Sequence, residues 1–392
     1  MDVADEHRKG CGVGLSAMST LTDRERLLRV FRQQPVDRIP ISPFIHVNYV
    51  KEFFGSHDVD WVARTPEVYH HFGFDVIHRN CTPAPDIYGP PGPEWDVRVT
   101  TERAGRDETT TTTIRTPGGD LRCREELRWV CEYDAEASPV EYLVKSEADL
   151  DLMERYQPPP RPPDVADIRR AREIVADDGI VAPWIQGAFN LVAYHYRRLD
   201  DLLLDALTNP AFYERMMSYA LDRYRVHVQA MIDAGADVLS YGGNIANAKL
   251  VSPDFFRQYI APWEQRLIEF IQSQGVAVLY HNCGRARRLL PLYPGLGMRA
   301  YESLTPSPYG DTELAEAVEI FGRGTALLGN IDQITLLRQG TPDEIRDQVR
   351  RTLDAVRGQA HFILSTTDYF NENTPHAAIH VLADAGREFG GL

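Results

Sequence analysis

Eight short apolar runs, each of strand length and each followed by a helical segment, constrain this chain more than any other feature. They are RIPISPFIH (38–46), FDVIHRN (74–80), IVAPWIQG (180–187), DVLSYGG (237–243), VAVLYHNCG (276–284), RAYES (299–303), ALLGNID (326–332) and FILSTTD (362–368). Their nearly continuous apolar character marks strands buried on both faces. Strand and helix repeated eight times predict an α/β fold of the (β/α)8 TIM barrel type rather than an open doubly wound sheet. An open sheet of that kind would carry a Gly-rich phosphate loop after its first strand, and PFIHVNYV has none.

Helix starts are well marked. Thr22 and Glu25 form a capping box, and Thr65-Pro66, Asn209-Pro210, Ser252-Pro253, Thr341-Pro342 and Thr374-Pro375 each place a cap residue before proline. One region breaks the rhythm. WDVRVTTERAGRDETTTTTIRTPGGDLRCREELRW (95–129) alternates Thr with charge around a Pro-Gly-Gly turn, which predicts a β-hairpin insertion between the second and third strands, over about 92–145. Such an insertion would lie over the barrel mouth or serve as an oligomer contact. The remaining expectation is one domain, residues 21–392, after a flexible segment over 1–20.

A net charge of −15, with the acids scattered, offers no basic stripe for nucleic acid and no basic amphipathic helix for a membrane. Five cysteines without repeated spacing imply no disulfide framework, so reduced thiols in a cytoplasmic protein are expected.

Barrel sites form at the C-terminal ends of the strands, so polar residues ending apolar strands are the informative ones. His46, Tyr241 and Glu302 are the catalytic candidates. Asn48, Asn80, Trp184, Gln186, Asn190, Asn244 and Asn330 are the substrate-binding candidates. Taken singly, each also suits capping or loop hydrogen bonding. His281-Asn282-Cys283-Gly284 is more specific: imidazole and thiol at i and i+2 point to one side of a strand and together suit zinc.

From about Leu21 onward the chain resembles the uroporphyrinogen decarboxylase superfamily. The resemblance is carried in order by LTDRERLLRVFRQQPVDRIPI, QGAFNLVAY, AGADVLSYGG, LVSPDFFRQYIAPW, YHNCG, LLGNIDQITLLRQGTPDEIRDQVR and FILSTTDYFNENTP. It implies a (β/α)8 barrel. The superfamily's porphyrinogen decarboxylases carry an arginine-bearing segment after the first strand, where this chain reads Phe44-Ile45-His46-Val47-Asn48. Its other branch moves methyl groups between corrinoid proteins and thiols or small methylated compounds, and binds zinc through a His-x-Cys segment like His281-x-Cys283. The third ligand there is a cysteine whose place is taken here by Asp368. With one thiolate fewer, the site becomes a harder Lewis acid. Glu302 is a second oxygen-ligand candidate.

The resemblance therefore implies a zinc-dependent, methyltransferase-like enzyme acting on a small substrate, with His281, Cys283 and Asp368 as metal ligands. A thiol or a corrinoid protein is the methyl partner. No Asp-x-His-x-x-Gly corrinoid segment is present, so cobalamin would arrive on a partner protein. The alternative is a metal-dependent decarboxylase or lyase of a small carboxylic acid other than uroporphyrinogen. Arg79 is the one arginine at the strand ends, which predicts a substrate with at most one negative charge unless Arg98, Arg103 or Arg106 close over the mouth from the insertion.

Overall fold

The computed structural model describes residues 21–391, so the segment 1–20 lies outside the described residues. Twelve strands are present among these: β1 (Val76–His78), β2 (Asp96–Ala104), β3 (Asp107–Thr116), β4 (Gly119–Trp129), β5 (Ala135–Glu141), β6 (Gly179–Val181), β7 (Trp184–Gln186), β8 (Val238–Gly242), β9 (Ala277–His281), β10 (Ala300–Glu302), β11 (Ala326–Ile331) and β12 (Phe362–Thr366). β7 to β12 form a parallel sheet in chain order, and β1 pairs in parallel with β6.

Two predicted strands are modified by proline. The third run divides at Ala182-Pro183: β6 pairs only with β1, and β7 only with β8. Pro183 has no amide to donate, and its carbonyl instead accepts from Ser240 (3.0 Å). The first run is reduced to one parallel bridge, Ile41 with Leu364, because Pro40 and Pro43 interrupt its ladder. Around that bridge, the Leu364 amide donates to the Pro40 carbonyl (2.9 Å) and the Asp75 amide donates to the Ile41 carbonyl (2.8 Å). Hydrogen bonds thus link the eight predicted strand positions in chain order, the eighth to the first.

The core explains why the strands read as apolar throughout. Ile77, Ile180, Val238, Leu279, Ala300, Ala326 and Ile363 meet on the inner side with Leu27, Val30 and Phe31 of the helix Asp23–Phe31. That helix covers the N-terminal end of the strands, leaving the polar residues at the opposite end. A larger apolar cluster lies between the strands and the surrounding helices.

Cap chemistry differs from expectation at two helices. Thr22 accepts the Glu25 amide (3.1 Å), but the Glu25 side chain turns to Arg29 (2.7 Å), so only half of the capping box forms. The helix Trp61–Phe72 starts a turn before Thr65-Pro66, with Asp60 as its cap; Pro66 still falls within the first two turns, where its missing amide does little harm.

Residues 96–141 form an antiparallel four-stranded sheet, two strands more than a hairpin, with Ile114 and Leu121 on its buried face. Its β4–β5 turn meets the loop after β12. There the Glu132 and Tyr133 amides donate to the Glu372 carboxylate (3.3 and 3.0 Å), and Tyr369 donates to Asp134 (3.4 Å). No helix among the described residues is long and apolar enough to cross a membrane.

Candidate metal centre and its cavity

A cavity of about 680 Å³ opens at the C-terminal ends of the strands. His281 reaches it from the last position of β9. Because Leu279, two residues earlier, packs in the strand interior, the period of two also turns His281 inward. Cys283 follows on the loop, and Gly284 takes φ +83°, a left-handed conformation that favours glycine, to turn the chain away. Asp368 enters from the loop after β12. One ligand atom from each of His281, Cys283 and Asp368 lies within 4.8 Å of the others. Tetrahedral zinc with bonds of 2.0–2.3 Å spaces its ligand atoms by roughly 3.3–3.6 Å, so a small contraction would suffice.

His281 is held by partners on its other side. Its Nδ1 donates to Glu302 Oε1 (3.0 Å), with Ser303 Oγ at 3.2 Å. A carboxylate can only accept, so the proton sits on Nδ1 and the Nε2 lone pair is left toward Asp368, 4.0 Å away. Both Glu302 oxygens also accept from Arg79 (2.8 and 2.7 Å). The Arg79 guanidinium is buried under the rings of Phe44 (4.5 Å) and Trp184 (5.4 Å). Burial alone would raise the Glu302 carboxyl, but the Arg79 charge and the His281 bond hold it down, to about 2. Burial likewise pulls His281 down, and its bonds with Cys283 and Glu302 more than offset this, leaving it well above an ordinary imidazole. Glu302 is therefore placed to orient His281, and both its oxygens are already engaged.

The other sequence candidates divide between cavity and frame. His46, Asn80, Trp184, Gln186 and Asn244 line the cavity; Asn48, Asn190, Tyr241, Glu302 and Asn330 do not. Asn48 accepts from His46 Nδ1 (3.0 Å), fixing an imidazole whose ring lies 5.1 Å from that of Tyr369. The Asn80 amide is committed to the Ile45 carbonyl (3.1 Å) and Thr65 Oγ1 (2.9 Å). Asn190 donates to Asn244 (2.9 Å), and Asn330 accepts from Thr352 on the surrounding helix Pro342–Val356 (3.1 Å).

Tyr241 points away from the cavity, into the layer between strands and helices. Its hydroxyl donates to Glu264, whose carboxylate also accepts the Phe189 (3.1 Å) and Ala188 (3.3 Å) amides. Glycine is required beside this network, since a Cβ on Gly187 would stand 2.6 Å from the Gly242 carbonyl. Burial pushes the Glu264 carboxyl up, to about 7, against the lowering effect of the Tyr241, Phe189 and Ala188 bonds. Between its ordinary value of 4.5 and about 7, the folded chain holds a proton that the unfolded chain has released. Stability should therefore fall as pH rises through that window, by up to about 3 kcal/mol. Urea unfolding at pH 5 and pH 8 measures this, and Glu264→Gln should flatten the difference. A difference that survives the substitution would place the titration elsewhere.

Residues that strand-end reasoning passed over complete the lining. Phe44 and Tyr369 flank candidates that were named, whereas Tyr194, His195, Tyr224 and His227 come from helices, where the eight runs give no signal. The arginines of the inserted sheet stay out of the cavity: Arg98 pairs with Asp96, Arg103 with Glu108, and Arg106 with Glu132 over the Trp129 ring.

Comparison with known proteins places this geometry. Methylcobamide:CoM methyltransferase MtbA of Methanosarcina mazei is 23% identical over 385 residues, covering 95% of this chain and 99% of its own. Uroporphyrinogen decarboxylase of Syntrophotalea carbinolica is 28% identical over 242 residues, covering 58% of this chain and 66% of its own. The solved structure of a methyltransferase from Methanosarcina mazei shares the fold, with a TM-score of 0.68 at 18% identity over 94% of this chain and 99% of that one. Residues 131–389, well over half of the chain, match the family model described as Uroporphyrinogen decarboxylase (URO-D), and the chain belongs to that family.

Proposed function

We propose that this chain is a zinc-dependent methyltransferase on a closed (β/α)8 barrel, exchanging a methyl group between a small substrate and a corrinoid protein or a thiol. One observation carries the reading: His281, Cys283 and Asp368 bring three metal-type donors within 4.8 Å of one another at the strand ends. The near full-length similarity to a methylcobamide:CoM methyltransferase supports it and suggests the corrinoid partner.

The donor set suits zinc in kind as well as in spacing. One thiolate and one carboxylate would balance the ion's charge, and the imidazole offers Nε2 as its free nitrogen. Three protein ligands leave a fourth position, at which bound zinc would lower the pKa of a thiol or polarise an oxygen. The chain's own residues do the rest. Glu302 accepts the Nδ1 proton and fixes the ring, Arg79 holds Glu302, and Trp184 packs edge-on against His281 (5.4 Å) to limit water. The decarboxylase or lyase alternative gains no support from the lining, because Arg79, its cation, is already paired with Glu302.

Metal analysis of the purified protein, followed by methyl transfer from methylcobalamin to a thiol, tests the proposal. About one zinc per chain is expected, with transfer that stops on chelation and returns with zinc. A metal-free protein, or transfer indifferent to chelation, would overturn it.

A further inference from the structure

The cavity is larger than a metal centre requires. It extends from His281 and Cys283 along β7 to a second lobe walled by Tyr194, His195, Tyr224 and His227. β7 joins the two. Trp184 lies against the His281 ring, and two residues on, the Gln186 amide donates to the Tyr224 hydroxyl (2.9 Å). The Tyr224 ring in turn stacks on His227, with centroids 5.1 Å apart and planes at 15°.

Three features define what this lobe can hold. His227 is only 5% exposed, and its Nδ1 is buried with no hydrogen-bond partner. A buried polar ring left unsatisfied is costly unless something bound there supplies the bond. Burial also holds His195 and His227 down, to about 4, so both are neutral near pH 7, each with one N–H and one lone pair. Finally, among the described residues the one arginine or lysine on the cavity wall is Arg79, which Glu302 already neutralises. Arg161 and Arg223 stand on a separate space of about 10 Å³ that shares Pro85, Tyr224 and His227 with this wall. An anionic group in the lobe would face aromatic rings and neutral imidazoles, without the paired cation a buried charge needs.

We infer that this lobe binds the part of the small substrate that is not transferred, and that this part is an uncharged, planar aromatic group bearing a hydrogen-bonding substituent, such as a phenol or its methyl ether. The assignment of that part as the one left behind rests on the methyltransferase reading above. Flat rings fill such a slot by stacking on Tyr224 and its neighbours, and the substituent bonds to a histidine nitrogen.

Calorimetric titration of the purified protein with guaiacol, ortho-anisate and cyclohexanol tests this, alongside His227→Leu, His195→Leu and His227→Gln. Guaiacol should bind at least roughly tenfold more tightly than the other two. Each leucine substitution should weaken it by a similar factor with zinc content unchanged, and His227→Gln, which keeps a hydrogen-bonding side chain, should retain most of the affinity. Equal or tighter binding of ortho-anisate or cyclohexanol, or leucine variants that bind guaiacol normally, would overturn the inference. If guaiacol fails to bind while zinc-dependent transfer from methylcobalamin proceeds, the lobe assignment falls and the methyltransferase reading survives. The predicted ranking in a protein without transfer activity would keep the aromatic site and remove the reading of it as a methyl-donor subsite.

Discussion

Glu302→Ala should destabilise the metal-free protein by about 3–5 kcal/mol, because it strands a buried guanidinium. Arg79 is 1% exposed, and Glu302 receives both of its hydrogen bonds to carboxylate. The Phe44 and Trp184 rings above Arg79 offset part of the desolvation cost but cannot replace a carboxylate. The same substitution frees His281 Nδ1, so zinc affinity should also fall, by roughly 10- to 100-fold. Combining Arg79→Met with Glu302→Leu separates the two effects. Removing both charges should recover most of the stability, since replacement of a buried pair by apolar groups is often close to neutral, while the zinc defect remains. Urea unfolding and competitive zinc titration measure the two quantities. If the double substitution restored metal affinity along with stability, Glu302 would have no orienting role beyond its pairing with Arg79.

That pair also shows where sequence reading stops. The eight strand positions were legible because apolar runs bounded by capping residues report burial on both faces, and His281 with Cys283 because two ligand types at i and i+2 report one side of a strand. The prolines that reshape the first and third strands were equally visible, and their effect on a ladder follows from the missing amide. By contrast, Arg79 and Glu302 lie 223 residues apart, and only the folded chain brings them together. A hint was present, since one arginine and one glutamate each ended an apolar strand, and buried opposite charges need each other. Tyr241 misled for a different reason. Val238 faces the strand interior, so the period of two sends Tyr241 outward to Glu264, a phase that strand-end position alone does not reveal. The helix-borne wall of Tyr194, His195, Tyr224 and His227 depends on how helices pack over the third strand, which no local pattern encodes.

Replacing His281 or Cys283 by alanine should lower zinc affinity by more than roughly 100-fold, beyond what loss of an outer partner causes, while leaving the chain folded. The reason for intact folding is positional: the interior cluster of Leu279, Ala300, Ala326 and Ile363 fills the strands nearer their other end and makes no use of the ligands. Asp368 provides the finer discrimination. Its Oδ1 accepts the Tyr369 amide (2.8 Å), which leaves Oδ2 as the atom facing His281 Nε2. Asp368→Asn keeps the shape and removes the charge, so it should weaken binding. Asp368→Cys should strengthen it, because a second thiolate is a softer and more strongly donating zinc ligand. Stoichiometric zinc in both alanine variants would remove the metal centre from the proposal. Affinity unmoved by either Asp368 substitution would instead make Asp368 a loop residue held by its own backbone, and the third ligand would then have to come from outside this trio. Glu302 is poorly placed to serve, since both its oxygens are engaged by Arg79 and one of them also by His281.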